Sequence, residues 1–173
     1  SEYGRHVSGT LGAIGFGRLF QRTAGTHHVI VDDDEGPLDI GRDIAVDAMG
    51  NVNVVGESQS DWMLETWPAL IGLRTGGTDG LFIKISSDGT QIPFWTYFGG
   101  TGDDYLNGVA VNSSTGVATF VGTTGSSNLP TFLAVPQGTN LKGATDAFVG
   151  RIDDTSGIPD FTFLSYLGGS SYD

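Results

Sequence analysis

Short runs in which apolar and polar side chains alternate recur along the chain, each broken by a cluster of Gly, Asn, Asp, Ser or Thr. Alternation with a period of two sends successive side chains to opposite faces of a strand, and the clusters between supply turns. Residues 44–46 and 53–55 flank the segment DAMGN at 47–51, which predicts a hairpin with Gly50 and Asn51 where positive φ is needed. Residues 82–85 and 94–98 flank SSDGT at 86–90, a second hairpin of the same kind. Almost no helix is expected.

The pattern then repeats. The blocks GRDIAVDAMGNVNVVGES, GGTDGLFIKISSDGT and PFWTYFGGTGDDY are followed by LNGVAVNSSTGVATFVGTT, GATDAFVGRIDDTSG and FTFLSYLGGSSYD in the same order. Ala45 aligns with Ala110, Gly56 with Gly122, Asp79 with Asp146, Phe82 with Phe148, Tyr97 with Tyr166 and Gly99 with Gly168, at offsets of 65 to 69 residues. Each unit therefore reads as four short antiparallel strands, the makings of a propeller blade. The link between the hairpins varies most: Gly56 to Pro68 spans 12 residues against 8 from Gly122 to Pro130, and Pro68 to Asp79 spans 11 against 16 from Pro130 to Asp146. Surface loops tolerate such insertions.

These blocks closely resemble the β-propeller repeat often called the SBBP repeat, over about residues 40–173. The resemblance implies tandem blades in large bacterial and algal surface or secreted proteins, without a shared catalytic residue set. Two stretches depart from it: the loop at 57–75 with its atypical Trp62 and Trp67, and Val117-Ala118-Thr119 where a Gly-Asn turn is usual. The expected organisation is a degenerate half-blade or N-terminal assembly segment at 1–38, a first repeat at 39–105 and a second at 106–173. In the first segment Gly17-Arg18-Leu19 echoes Gly150-Arg151-Ile152, Ala24-Gly25-Thr26 echoes Asp88-Gly89-Thr90, and residues 28–31 read as a strand. Both ends of such an array are expected to be open.

Composition sharpens this all-β reading. Twenty-eight glycines with only 16% charged residues suit many strands joined by tight turns and not a helical protein. Twenty acidic against eight basic side chains give a net charge of −12, which repels phosphate backbones and anionic lipid, so no nucleic-acid partner is expected. No run approaches the roughly 18 apolar residues of a membrane span. The absence of cysteine rules out disulfides, thiol catalysis and cysteine-based zinc sites. The lack of cysteine does not settle the compartment. Acidic, Gly/Ser/Thr/Asp-rich chains without cysteine are common among exported proteins, and mainly on the repeat and what its resemblance implies, a place at the cell surface or outside the cell is expected.

Candidate chemistry is sparse. Asp32, Asp34, Gly36 and Asp39 approach an alternate-carboxylate calcium loop, but the spacing is one residue short and no bidentate Glu follows, so a solvated acidic turn is preferred. His27 and His28 are adjacent and would point to opposite faces of a strand, with His6 remote. Asp103 and Asp104 could suggest an acid and base pair, yet they fall in a repeated turn where carboxylates bond nearby amides. Asp79 and Asp146 recur in one position, which points to architecture. Trp95 alternates with Phe94 and Thr96 in a strand and is expected between blades or against a neighbour. Trp62 and Trp67 lie in the irregular link, where core capping is preferred over a stacking patch for a ligand such as a sugar. Asn112-Ser113-Ser114 is the one N-glycosylation sequon, on an expected turn.

No nucleophile elbow, phosphate loop or metalloprotease motif occurs, so no catalytic residue, cofactor or metal is assigned. Two such units cannot close a propeller, and unfilled sheet edges invite strand addition. The expected role is a non-enzymatic structural subunit of an extracellular fibre or appendage, partnered by other copies of itself or by the rest of a longer chain. The alternative is a carbohydrate-binding or adhesin module using the 57–75 and 123–145 loops.

Overall fold

The computed structural model describes residues 29–30, 39–60, 74–130 and 140–170, the first two by backbone alone. Among the described residues nine strands follow in chain order, β1 (Val29–Ile30), β2 (Asp39–Val46), β3 (Val52–Ser58), β4 (Asp79–Ile85), β5 (Phe94–Phe98), β6 (Asp104–Val111), β7 (Ala118–Thr124), β8 (Asp146–Asp153) and β9 (Asp160–Leu167). They form two antiparallel sheets, β1-β2-β3-β4-β5 and β6-β7-β8-β9, and neither closes on itself. Among the described residues there is no helix, and hence none long and apolar enough to cross a membrane. The two-residue β1 extends the first sheet by pairing with Ile40 and Gly41, and it lies within the expected strand at 28–31. The expected division at 105/106 falls inside β6, which already begins at Asp104.

The hairpins form where the turn chemistry placed them. Gly50, Gly89, Gly116 and Gly157 each adopt a φ between 72° and 83°, a region costly for any residue with a Cβ. Asp47 anchors the first turn by accepting from the amides of Met49 and Asn51, both at 2.9 Å. At the corresponding turn of the second sheet, Asn112 accepts from Ser114 N at 2.9 Å and Gly116 supplies the positive φ. Where a Gly-Asn turn is usual, at 117–119, the turn instead lies a few residues earlier and Ala118 already opens β7.

Both sheets carry a register irregularity at the same place, between Gly41 and Asp43 in β2 and between Leu106 and Gly108 in β6. Pairing also corrects one alignment. Leu81 sits between Gly56 and Tyr97, and Phe148 between Gly122 and Tyr166, so Phe148 matches Leu81 and not Phe82. With a period of two, this one-residue slip places Phe82 and Phe148 on opposite faces of their sheets. That is how they meet within one core.

We call the face of each sheet that bears the counterparts of Leu81 its leading face, and the other its trailing face. The trailing face of the first sheet, with Val55, Phe82, Phe94 and Phe98, packs on the leading face of the second, with Phe120, Phe148, Leu164 and Tyr166. Phe98 is the hub: it stacks on Phe148 at a centroid distance of 4.8 Å and meets the edges of Phe120 and Phe161 at 5.4 and 5.9 Å. Offset and edge-to-face pairs of this kind add about 0.5 to 1.5 kcal/mol each beyond the area they bury. A second cluster of Leu81, Ile83, Trp95 and Tyr97 is buried on the leading face of the first sheet.

Candidate functional site

Asp79, one of the two aspartates singled out by repetition, meets Asp103 and Asp104 where three loops come together: residues 74–78 before β4, 99–103 between β5 and β6, and 125–129 after β7. Asp79 opens β4 and is buried. Its carboxylate accepts from Thr75 N at 2.7 Å and Gly76 N at 3.0 Å, while Thr75 Oγ1 donates to the carbonyl of Gly100 at 2.8 Å. Asp104, fully buried at the start of β6, accepts through Oδ2 from Gly100 N at 2.8 Å and from Ser126 Oγ at 2.7 Å. Ser126 Oγ in turn accepts from Gly102 N at 2.8 Å, and Asn128 Oδ1 accepts from Thr101 N at 2.9 Å.

Glycine is required here for space. A Cβ on Gly99 would lie 2.7 Å from atoms of both Asp79 and Asp104, and one on Gly102 would lie 2.6 Å from the backbone of Gly125. Below about 3.0 Å a neighbour has to move, and backbone cannot do so cheaply. The loops thus interleave at backbone distance.

Electrostatics follow from burial. Desolvation pushes the Asp104 carboxyl above its ordinary range; hydrogen bonds from Thr124, Gly100 and Ser126 oppose this, and the nearby Asp79 charge adds to it. Asp79 is also raised, again chiefly by desolvation, against the amides of Thr75 and Gly76. Among the described residues Asp104 Oδ1 is buried without a geometrically defined hydrogen-bond partner, in keeping with desolvation as the chief cause of the shift. Asp146 repeats the Asp79 arrangement in the second sheet, accepting from Lys142 N at 2.8 Å and Gly143 N at 3.2 Å. Tyr97 and Tyr166 repeat as well: their hydroxyls donate to the carbonyls of Ser60 and Ser126 at 2.6 and 2.8 Å.

Asp103 and Asp104 therefore do more than bond local amides. Asp103 Oδ1 accepts from Thr78 N at 3.0 Å, 25 residues back, and Asp104 reaches forward to Ser126. Further links between the sheets lie away from this junction. Asp43 Oδ2 accepts from Val109 N at 2.8 Å, Lys84 Nζ reaches Asp154 at 2.6 Å, and Arg42, paired with Glu57, lies 5.5 Å above the ring of Tyr105. The recurrence of Asp79 and Asp146 was visible in the sequence, whereas Lys84 and Asp154 stand 70 residues apart with nothing to link them.

Of the other candidates, Asn112 is exposed on its turn. Trp95 is buried in the leading-face cluster, edge-on to Tyr97 at 5.2 Å, and its Nε1 has no hydrogen-bond partner among the described residues. Trp62, Trp67, Asp32, Asp34, Gly36 and the three histidines lie outside the described residues, while Asp39 opens β2 and is buried. Among the described residues no group of three His, Cys, Asp or Glu side chains could hold a metal ion. Chemically, this junction joins loops: Asp79, Asp103, Asp104 and Thr75 bond neighbouring backbone, and Asp104 also takes the Ser126 hydroxyl. No family model matches the chain, and no curated protein does.

Proposed function

We propose that this chain is a non-enzymatic structural part of an extracellular surface assembly, built from propeller-type repeats of the SBBP kind. One observation carries the reading: the second sheet repeats the first and packs face to face on it, with Phe98 at the centre of an aromatic core. Stacking of like on like is the growth rule of repeat arrays, in which each unit contacts its neighbours and extends the core. The polar residues that recur are absorbed in the interleaved loops, which is what a joint between units requires. The resemblance of the repeat to those of surface and secreted proteins supports a place outside the cell, with which the acidic, glycine-rich, cysteine-free composition is compatible.

Electron microscopy of native material, with sedimentation over a dilution series, tests the role. Ordered assemblies at the cell surface are expected. Discrete particles that turn over a substrate, or that bind a glycan array without assembling, overturn it.

A further inference from the structure

The face by which the first sheet packs on the second has a counterpart that the second sheet leaves partly exposed. Three cross-strand pairs define it. Val55 opposite Phe82 corresponds to Val121 opposite Val149, Lys84 opposite Phe94 to Arg151 opposite Phe163, and Gly80 opposite Phe98 to Ala147 opposite Leu167. Antiparallel partners project to one side, so each set lies on one trailing face. In the first sheet these large side chains are almost wholly buried, Lys84 included at 4% exposure. In the second, Val121 and Leu167 are each 47% exposed and Arg151 is exposed, with no ion pair among the described residues, while Ala147, Val149 and Phe163 are half-buried.

What covers the first set indicates what fits the second. Phe82 and Phe98 lie against Phe120 and Phe148 of the following unit, and Lys84 meets Asp154 in that unit's last hairpin turn. The leading face of the first sheet is already buried, so a second copy does not offer it unchanged. We propose that the trailing face of β6–β9 docks a third four-stranded repeat of this kind, with aromatic side chains at the Phe120 and Phe148 positions and a carboxylate at the Asp154 position to meet Arg151. One link of the internal junction has no equivalent: position 108 is glycine where Asp43 bonds the following unit. The contact therefore rests on the apolar pairs and on Arg151. It follows from the repeat geometry and does not depend on where the protein resides.

The chain contains no cysteine, so a single introduced thiol reports on this face without interference. The Leu167→Cys variant of the full chain is compared with the same variant carrying a second copy of residues 104–173 fused at its C-terminus. A Val46→Cys variant, at a position 57% exposed in the first sheet, is the control for general reactivity. Docking is expected to slow labelling of the Leu167→Cys thiol by about tenfold or more in the fusion, because labelling then requires opening of the contact. The Val46→Cys control should react equally in both proteins, and Val121→Lys in the fusion should restore fast labelling. Equal labelling with and without the fused unit overturns the proposal. So does a fused unit that limited proteolysis digests while the rest of the chain persists. Labelling of the unfused chain that slows as its concentration rises overturns it too, in favour of a second copy as the occupant.

Discussion

Lys84 Nζ lies 2.6 Å from Asp154 Oδ2 and 3.2 Å from Asp47 Oδ2, so one buried ammonium joins a turn of the first sheet to the last hairpin of the second. Removing one partner of a buried pair leaves the other charge without compensation, at a cost of roughly 3 to 5 kcal/mol. Lys84→Met is expected to destabilise by about 3 kcal/mol in urea unfolding, and Lys84→Met with Asp154→Asn by less than the sum of the single changes. Strict additivity shows that the two groups do not interact.

The face assignment of Phe98 has a direct test in its repeat partner. Truncating a fully buried aromatic leaves a cavity as well as removing transfer energy, so Phe98→Ala is expected to cost about 3 to 5 kcal/mol. Leu167→Ala, at the matching but half-exposed position, should cost less than about 1 kcal/mol in the chain alone. Similar losses for both would contradict the register that sets Phe98 between the sheets.

Acidity enters through Asp104 and Asp79. A carboxyl raised by burial remains protonated in the folded chain after the unfolded chain has released its proton, so the folded state binds more protons. Stability from these two groups is therefore complete below about pH 4, near the unfolded value, and falls as pH rises through the raised folded values. Asp47 acts oppositely: burial pushes it up, but hydrogen bonds from Asn51 and the contact with Lys84 outweigh burial and hold it low. Exposed Asp88 is also held down, at about 2, by hydrogen bonds from Ser86 and Thr90. Comparing Asp104→Asn with the parent chain isolates the junction. The urea midpoint of the variant should improve relative to the parent between about pH 4 and pH 7. A difference that stays constant across that range refutes a raised Asp104.

Asn112 accepts amide bonds through its Oδ1 from Ser114 and Thr115, at 2.9 and 3.1 Å, within an exposed turn. Expression in a host with N-glycosylation should add one glycan, seen as a mass increase that Asn112→Asp abolishes while retaining the oxygen that anchors the turn. An unmodified parent chain from such a host excludes the site.

Much of the fold was legible because strands and turns are local events. Alternation marked the core of each strand from β2 to β5, turn residues marked their hairpins, and repetition, with Asp79 recurring as Asp146 and Tyr97 as Tyr166, carried the same design to β6 to β9. Other features depended on contacts between distant segments. Aligning Phe82 with Phe148 matched two identical letters, yet backbone pairing sets Leu81 opposite Gly56 and moves Phe82 to the other face. Spacing alone could not reveal that slip, since both residues sit inside an apolar strand. The partners of Asp104, Asp43 and Lys84 are likewise products of one sheet lying on another: a carboxylate in a turn pattern reads as solvated until a facing loop removes its water. Local periodicity thus determined which residues form strands and which units repeat. Only the stacking of the two sheets decided which faces are buried, which carboxylates lose solvent, and that the trailing face of β6–β9 stays partly exposed.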